Sequence, residues 1–401
     1  MAKQDRVGSS NHRRIEHLIK HNSFVQSLYR HGMSAVFRIW GKFIKTDESL
    51  VLINGHGYKY NDSSRAIFLK MRELGLTDKL RVVWALNEPD KFEIPGCEKV
   101  KMDTLSYFKT AMRAKYWISC VNIERGLHFK KKKQIYLNTW HGAAINVCGN
   151  GVKGRSDFHW NYVDYFCVCG KCDERYYGKD FELDPKSYLK IGLPRNDSLF
   201  EATAETRQEI RRRLGLPEGK KVILYAPTWR DSEDGGATYQ LAPPIDWDRW
   251  RRDLGEEYTV MLRTHPYTTS LMNVQFNDFV RNYTDYPDVN DLLIAADILI
   301  SDYSCILLDY SLLEKPMLCF GYDYDAYKKV RPFYYELEDE LPNGVMRTED
   351  EILSYLKTLD YKAESKKTAE FRARHCEYGK GNAAIACIRA VFGSRFSEDI
   401  G

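Results

Sequence analysis

Ala296-Asp297-Ile298-Leu299-Ile300-Ser301-Asp302-Tyr303-Ser304-Cys305-Ile306, continued by Leu307-Leu308-Asp309-Tyr310, decides the fold class of this chain. Its apolar run is short enough for a buried strand, stops at a Ser-Asp-Tyr-Ser loop and restarts with helical spacing. A strand–loop–helix step of this kind is the repeating unit of a parallel α/β sheet. It also turns the first unpaired N–H groups of a helix outward beside the hydroxyls of Ser301 and Ser304. That arrangement suits the pyrophosphate of a nucleotide-activated donor. An ordinary capped junction reads the same way, because Ser and Asp are common N-cap residues, so the block has to be weighed with others.

The same step recurs on both sides of it. A strand at Leu50-Val51-Leu52-Ile53 opens into Asn54-Gly55-His56-Gly57, and a helix is predicted over 63–74. Strands are predicted at 81–85, 116–120, 134–139, 165–169 and 188–191, with helical stretches between most of them. A second series follows at 221–225, 258–263, 279–283, 298–301 and 317–320. The sequence is therefore divided into a basic helical segment over 1–46, a first α/β domain over 47–200, a second over 201–365, and C-terminal helices over 366–401 that pack back toward the cleft. A chain of 401 residues is also too long for one core of usual size.

Composition narrows the class. With 43% apolar and 29% charged residues the chain is globular, and it holds no apolar run of about twenty residues able to span a bilayer. The net charge is +4, yet residues 1–45 alone carry +7, so the basic excess is local. Confinement of positive charge to that segment, with no recognition motif, argues against nucleic acid as a partner. The segment reads as helical over 13–45, broken near Gly32, and its second piece sets Trp40, Phe37 and Phe43 beside Arg38, Lys42 and Lys45. That pattern serves an interfacial helix on an anionic bilayer, or a helix that packs on the protein body. Met1-Ala2-Lys3-Gln4-Asp5 has no apolar signal core, so the ten cysteines are expected in a reducing cytoplasm. Cys167, Cys169 and Cys172 lack a second ligand pair at zinc-finger spacing, and the alternation around them reads as a strand.

Several strand ends carry chemistry. His141 in Trp140-His141-Gly142 follows a predicted strand, where α/β proteins place ligands, and an imidazole titrating near neutrality can serve as a general base. Arg263-Thr264-His265-Pro266 ends a strand of the second series, and Arg with His there suits a phosphate. Thr228 and Arg230 lie in Tyr225-Ala226-Pro227-Thr228-Trp229-Arg230, and Arg195 and Asp197 in Gly192-Leu193-Pro194-Arg195-Asn196-Asp197. Two decoys are set aside. Gly149-Asn150-Gly151-Val152-Lys153-Gly154 has no β-α-β context, and the D-x-D triplets at Asp246 and Asp323 are common by chance.

In this order the blocks Trp140-His141-Gly142, Gly192 to Asp197, Tyr225 to Arg230, Arg263 to Pro266 and Ser301 to Ser304, with Glu314-Lys315-Pro316 and Tyr322-Asp323, resemble the CDP-glycerol glycerophosphotransferase family of teichoic acid synthesis. The resemblance covers residues 50 to about 330. It implies a GT-B-like α/β fold of two Rossmann-type domains with mainly parallel sheets facing across a cleft. It also implies a mechanism: an acceptor hydroxyl attacks the β-phosphorus of a CDP-polyol, CMP leaves, and a phosphodiester forms. His141 and His265 are then the catalytic residues, with His141 as base. Arg263, Ser301, Asp302, Ser304, Cys305, Thr228 and Arg230 would bind the donor. Trp140, Gly142, Arg195 and Asp197 would line the acceptor side or cleft.

The partners so implied are a CDP-polyol donor, glycerol phosphate being the preferred group, and a lipid-linked glycan acceptor at the inner face of the cell membrane. No metal site and no required cofactor are expected, although a divalent cation on the donor pyrophosphate is compatible with the chemistry. Two departures stand out. Ala143-Ala144-Ile145-Asn146 replaces the family's Thr-Pro-Leu-Lys, and Cys305 replaces a serine. A glycosyltransferase using a nucleotide sugar, or a non-catalytic nucleotide- or glycan-binding protein, is the alternative.

Overall fold

The computed structural model describes residues 23–228, 230, 243–264, 272 and 274–400. His265, Pro266, Trp229 and the part of the basic segment before residue 23 lie outside the described residues.

Helix α1 runs over Ser23–Lys42 without interruption at Gly32. The predicted break there is corrected: one glycine costs a helix about 1 kcal/mol, too little to end it when one face is packed. That face holds Phe37, which is buried with its ring 4.8 Å from Phe108 and 5.4 Å from Phe129. Ser34 accepts a hydrogen bond from the His128 amide at 3.0 Å.

Seven strands follow: β1 Asp47–Asn54, β2 Arg81–Leu86, β3 Glu98–Lys101, β4 Ala114–Ser119, β5 Ile135–Asn138, β6 Tyr165–Val168 and β7 Tyr188–Lys190. Their order is β3-β2-β1-β4-β5-β6-β7, and the pairings β1 with β2, β1 with β4, β2 with β3, β4 with β5 and β5 with β6 are parallel. Leu50, Val51, Leu52 and Ile53 are buried together in β1, as expected of an apolar run covered on both faces. The edge strand β3 escaped the sequence reading because Glu98-Lys99-Val100-Lys101 has one apolar residue in four.

The second sheet comprises β8 Lys221–Tyr225, β9 Tyr258–Leu262, β10 Val280–Asn282, β11 Ile298–Ser301 and β12 Met317–Cys319, in the order β10-β9-β8-β11-β12, with its neighbours parallel. Both sheets therefore reverse strand order in the Rossmann manner, the second between β8 and β11. A doubly wound sheet binds ligands at that point, beyond the carboxyl ends of the strands. The core beside β8 and β9 is built from Ile223, Tyr225, Val260 and Leu262 against Trp250 and Leu254 of α2 (Trp247–Leu254). The C-terminal region forms α3 (Tyr361–His375) and α4 (Ala383–Ile400).

Two compact units result. Of the described residues, the first holds those up to 140, 149–166 and from 388 on; the second holds those within 141–148 and 167–387. His141 to Cys148 thus belongs with the second unit although it follows β5.

Candidate functional site

At the switch point of the second sheet, the ends of β8 and β11 are sewn together. Ser301 Oγ donates to the Ala226 carbonyl at 2.7 Å, and the Ala226 amide donates to the Ile300 carbonyl. Asp302 is buried and accepts from the Thr228 amide at 2.9 Å, from the Thr228 hydroxyl and from the Tyr303 amide at 2.7 Å. Arg230 closes this knot. Its Nη1 donates to Asp302 at 2.8 Å, and its Nε and Nη2 donate to Asp323 at 2.7 and 2.8 Å.

Only 5% of Arg230 is exposed, and its guanidinium lies over the rings of Tyr303, Tyr327 and Tyr322 at 4.8, 5.1 and 5.3 Å. Burial works against its charge, but the Asp302 and Asp323 carboxylates outweigh it and hold its pKa above the usual arginine value. Ser301, Asp302 and Arg230 therefore shape the two loops from behind. The side chains of Thr228, Ser304 and Cys305 are partly exposed.

The helix after the turn, Ile306–Ser311, has six residues, and its first amide donates to Ser304 Oγ at 3.3 Å. The sequence reading expected this helix start to receive a pyrophosphate on free N–H groups. A macrodipole this short contributes little to holding an anion.

Arg195 lies beside this turn. Its Nη1 donates to the His141 carbonyl at 2.8 Å and its Nη2 to Asp309 at 2.6 Å. Asn196 holds the other Asp309 oxygen at 2.7 Å, and Asn290 donates to the Arg195 carbonyl at 2.6 Å. His141 and Cys305, 164 positions apart in sequence, meet across this arginine: Cys305 Sγ is 3.9 Å from the His141 carbonyl.

Gly142 makes that approach possible. A Cβ at residue 142 would stand 2.6 Å from Cys305 Sγ. The family-typical serine position and the glycine of Trp-His-Gly are thus packed against each other.

The rest of the 141–148 segment is pinned residue by residue. Tyr177 donates to the Gly142 carbonyl at 3.0 Å, the Ala144 amide donates to Asp173 at 2.8 Å, and Tyr335 donates to the Ala144 carbonyl at 3.0 Å. Asn146 pairs with Phe333 in an isolated antiparallel bridge and donates to the Tyr303 carbonyl at 2.8 Å. Asn146 is therefore engaged with the turn that follows β11. Asp173 is buried, which raises its pKa to about 6 against the pull of the Cys169 and Ala144 amides. Asp309, Asn290, Asp173 and Tyr177 were not singled out from sequence, since nothing local marks them.

Trp140 has a left-handed backbone, φ 51°, and its amide donates to Asn138 at 2.8 Å, so the chain turns sharply just before His141. Its ring packs edge-on against Trp160 at 5.5 Å. Arg263 is partly buried, and its Nη1 donates to the carbonyls of Tyr283 and Tyr286 at 3.3 and 2.6 Å. Burial lowers its pKa, while Asp288 and Asp285 pull the other way, a setting that an added anion would favour.

Asp197 is engaged elsewhere: its two oxygens accept from the Ala383 and Ala384 amides at 2.9 and 2.8 Å, at the start of α4. Among the described residues no three His, Cys, Asp or Glu side chains gather as a metal group. The Asp246 triplet is a helix cap, and Asp323 faces Arg230.

Comparison with known proteins fits this geometry. The chain is 31% identical over 362 residues to a teichoic acid poly(glycerol phosphate) polymerase of Staphylococcus epidermidis, covering 84% of this chain and 49% of that protein. It thus spans about half the length of that relative. It is 27% identical to a teichoic acid glycerol-phosphate transferase of Staphylococcus aureus, covering 92% of this chain and 98% of that one. Among solved structures, the wall teichoic acid polymerase TagF superposes with a TM-score of 0.78 at 28% identity, covering 98% of this chain and 99% of that chain. The model of the CDP-glycerol:poly(glycerophosphate) glycerophosphotransferase family matches residues 34–393, and the chain belongs to that family of enzymes.

Proposed function

We propose that this protein transfers glycerol phosphate from CDP-glycerol to a hydroxyl of a lipid-linked or growing teichoic-acid-type acceptor, releasing CMP. The observation that carries the reading is the Arg195 bridge: one guanidinium links the His141 carbonyl to Asp309 behind the Ser304–Cys305 turn, setting the candidate base and the donor turn in one unit. A TagF variant was solved after a 30 minute soak with CDPG, which supports a CDP-linked donor for this chain.

His141 takes the proton of the acceptor hydroxyl as its oxygen bonds to the β-phosphorus. The bond from that phosphorus to the bridging oxygen breaks, and CMP leaves with the bridging oxygen. Arg263, His265 and the hydroxyls of Ser304 and Thr228 are assigned to the pyrophosphate, whose charge they would balance without a required metal. Helix α1 would carry the enzyme to the inner face of the membrane. No described helix is long and apolar enough to cross one.

The test is CMP release by purified protein with CDP-glycerol or CDP-ribitol and a lipid-linked acceptor analogue, beside His141→Ala and His265→Ala. Acceptor-dependent CMP from CDP-glycerol, reduced about a hundredfold or more in folded variants, is the expected outcome. CMP from CDP-ribitol alone would replace glycerol by ribitol. No CMP from either donor would remove the reading.

A further inference from the structure

The first unit contains a cavity of about 780 Å³ between α1 and the segments 124–132 and 156–164. Its walls hold the basic side chains Arg30, Arg38, Lys130, Lys131 and Lys132 and the imidazoles of His31, His128 and His159. Three carboxylates also line it, and each is answered locally. Asp157 pairs with Arg155 at 2.9 Å, Asp164 pairs with Lys130 at 2.9 Å, and Glu124 accepts from the Phe129 and Lys130 amides at 2.5 and 2.7 Å.

Neither Arg30 nor Arg38 makes an ion pair with a described carboxylate. Burial lowers the His128 pKa, and the basic side chains around it lower it further, so His128 lies in a field of positive sign, while Arg30 also helps to hold the Asp157 carboxyl below its usual value. Crowded like charges in a concave site are relieved by a bound polyanion.

Two neighbouring features indicate which polyanion. A second cavity of about 450 Å³ shares Arg30, Gly126 and Asp157 with the first, and its wall includes the partly exposed Tyr58 and Trp140, with Phe158 and Trp160 buried against Trp140. Trp140 is the residue before His141. On α1 itself, Leu28, Val36 and Ile39 are more than half exposed, an apolar face of the kind that enters lipid.

We propose that the basic cavity is the diphosphate subsite for the lipid-linked acceptor, with the acceptor's sugar rings lying along the aromatic cavity toward Trp140. This rests on the transferase reading for the acceptor's identity, whereas the anion site itself does not. The shared chemistry is a phosphate ester or diphosphate, which a bilayer headgroup could also offer.

The test uses Arg30→Ser/Arg38→Ser, Arg38 being exposed and Arg30 partly so, with its thermal midpoint checked against wild type. Calorimetry with inorganic pyrophosphate reads the site without turnover, and a loss of binding of tenfold or more in the variant is expected. With a short-chain, soluble prenyl-diphosphate-linked acceptor analogue, KM for acceptor should rise tenfold or more while KM for CDP-glycerol stays within twofold. Sedimentation with phosphatidylglycerol vesicles should change less than twofold. Loss of vesicle binding with unchanged pyrophosphate affinity and acceptor KM would overturn the proposal in favour of a headgroup site. Wild-type protein that binds no pyrophosphate would also overturn it. Pyrophosphate binding that the variant loses, in a protein that releases no CMP from either donor, would keep the anion site and remove the transferase reading instead.

Discussion

Replacing Arg230 separates two roles that a strand-end arginine can have. In the structure four hydrogen bonds leave its guanidinium, three to the carboxylates of Asp302 and Asp323 and one to the Thr228 carbonyl at 2.9 Å. Both carboxylates are buried, and Tyr303 donates to Asp323 at 2.7 Å. Arg230→Met leaves two buried carboxylates facing each other without a cation, and breaking a buried pair in this way costs about 3–5 kcal/mol.

For a domain of about 150–250 residues, each kcal/mol lowers the midpoint by about 2–4 °C, so a fall of about 6–20 °C is expected. Arg230→Lys keeps the charge but cannot fork between the two acids, and should lie between wild type and Arg230→Met. The assay is thermal unfolding by near-UV circular dichroism, with CDP-glycerol binding measured below the transition. A midpoint within 2 °C of wild type combined with a large loss of donor affinity would refute the structural role and return Arg230 to direct phosphate contact.

Three further outcomes are expected. Gly142→Ala should cost about 1–3 kcal/mol and much of the activity through overpacking, since its Cβ would meet Cys305 Sγ at 2.6 Å and Cβ at 3.1 Å; adding Cys305→Ala removes the closer contact and should restore part of both in urea unfolding and CMP assays. Asp197→Ala removes the acceptor for the first two amides of α4 and should cost about 1–2 kcal/mol in the same unfolding experiment, with the KM for donor unchanged. The Asp173 pKa is raised to about 6, so the folded state holds a proton that the unfolded state loses near 3.8. Stability from this group is full below 3.8 and is lost as pH rises through about 6, by roughly 3 kcal/mol. Unfolding free energies of wild type and Asp173→Asn at pH 4, 5, 6 and 7 should therefore diverge by that amount, and parallel curves would contradict it.

Fold class and family were legible in the order of residues along the chain. Local alternation of apolar runs with helical spacing is set by the period of each element, and eleven of the twelve strands fall where such runs stand in the chain. The one shortfall is β3, whose charged edge residues carry no apolar signal. The order of the motif blocks was likewise legible, because it is linear.

Which partners each motif residue engages depends on the tertiary fold. Asp302, 72 positions from Arg230 and next to the turn, reads in sequence as a donor ligand, yet its carboxylate faces inward because Arg230 and Thr228 reach it from another strand end. Asp197 reads as a cleft residue and instead caps a helix 186 positions away. Asn146 and Cys305 read as departures from a pattern; in the fold they touch the Tyr303 carbonyl and the Gly142 backbone. Partnership between side chains far apart in sequence depends on sheet order and burial, and neither is encoded in the spacing of a single segment.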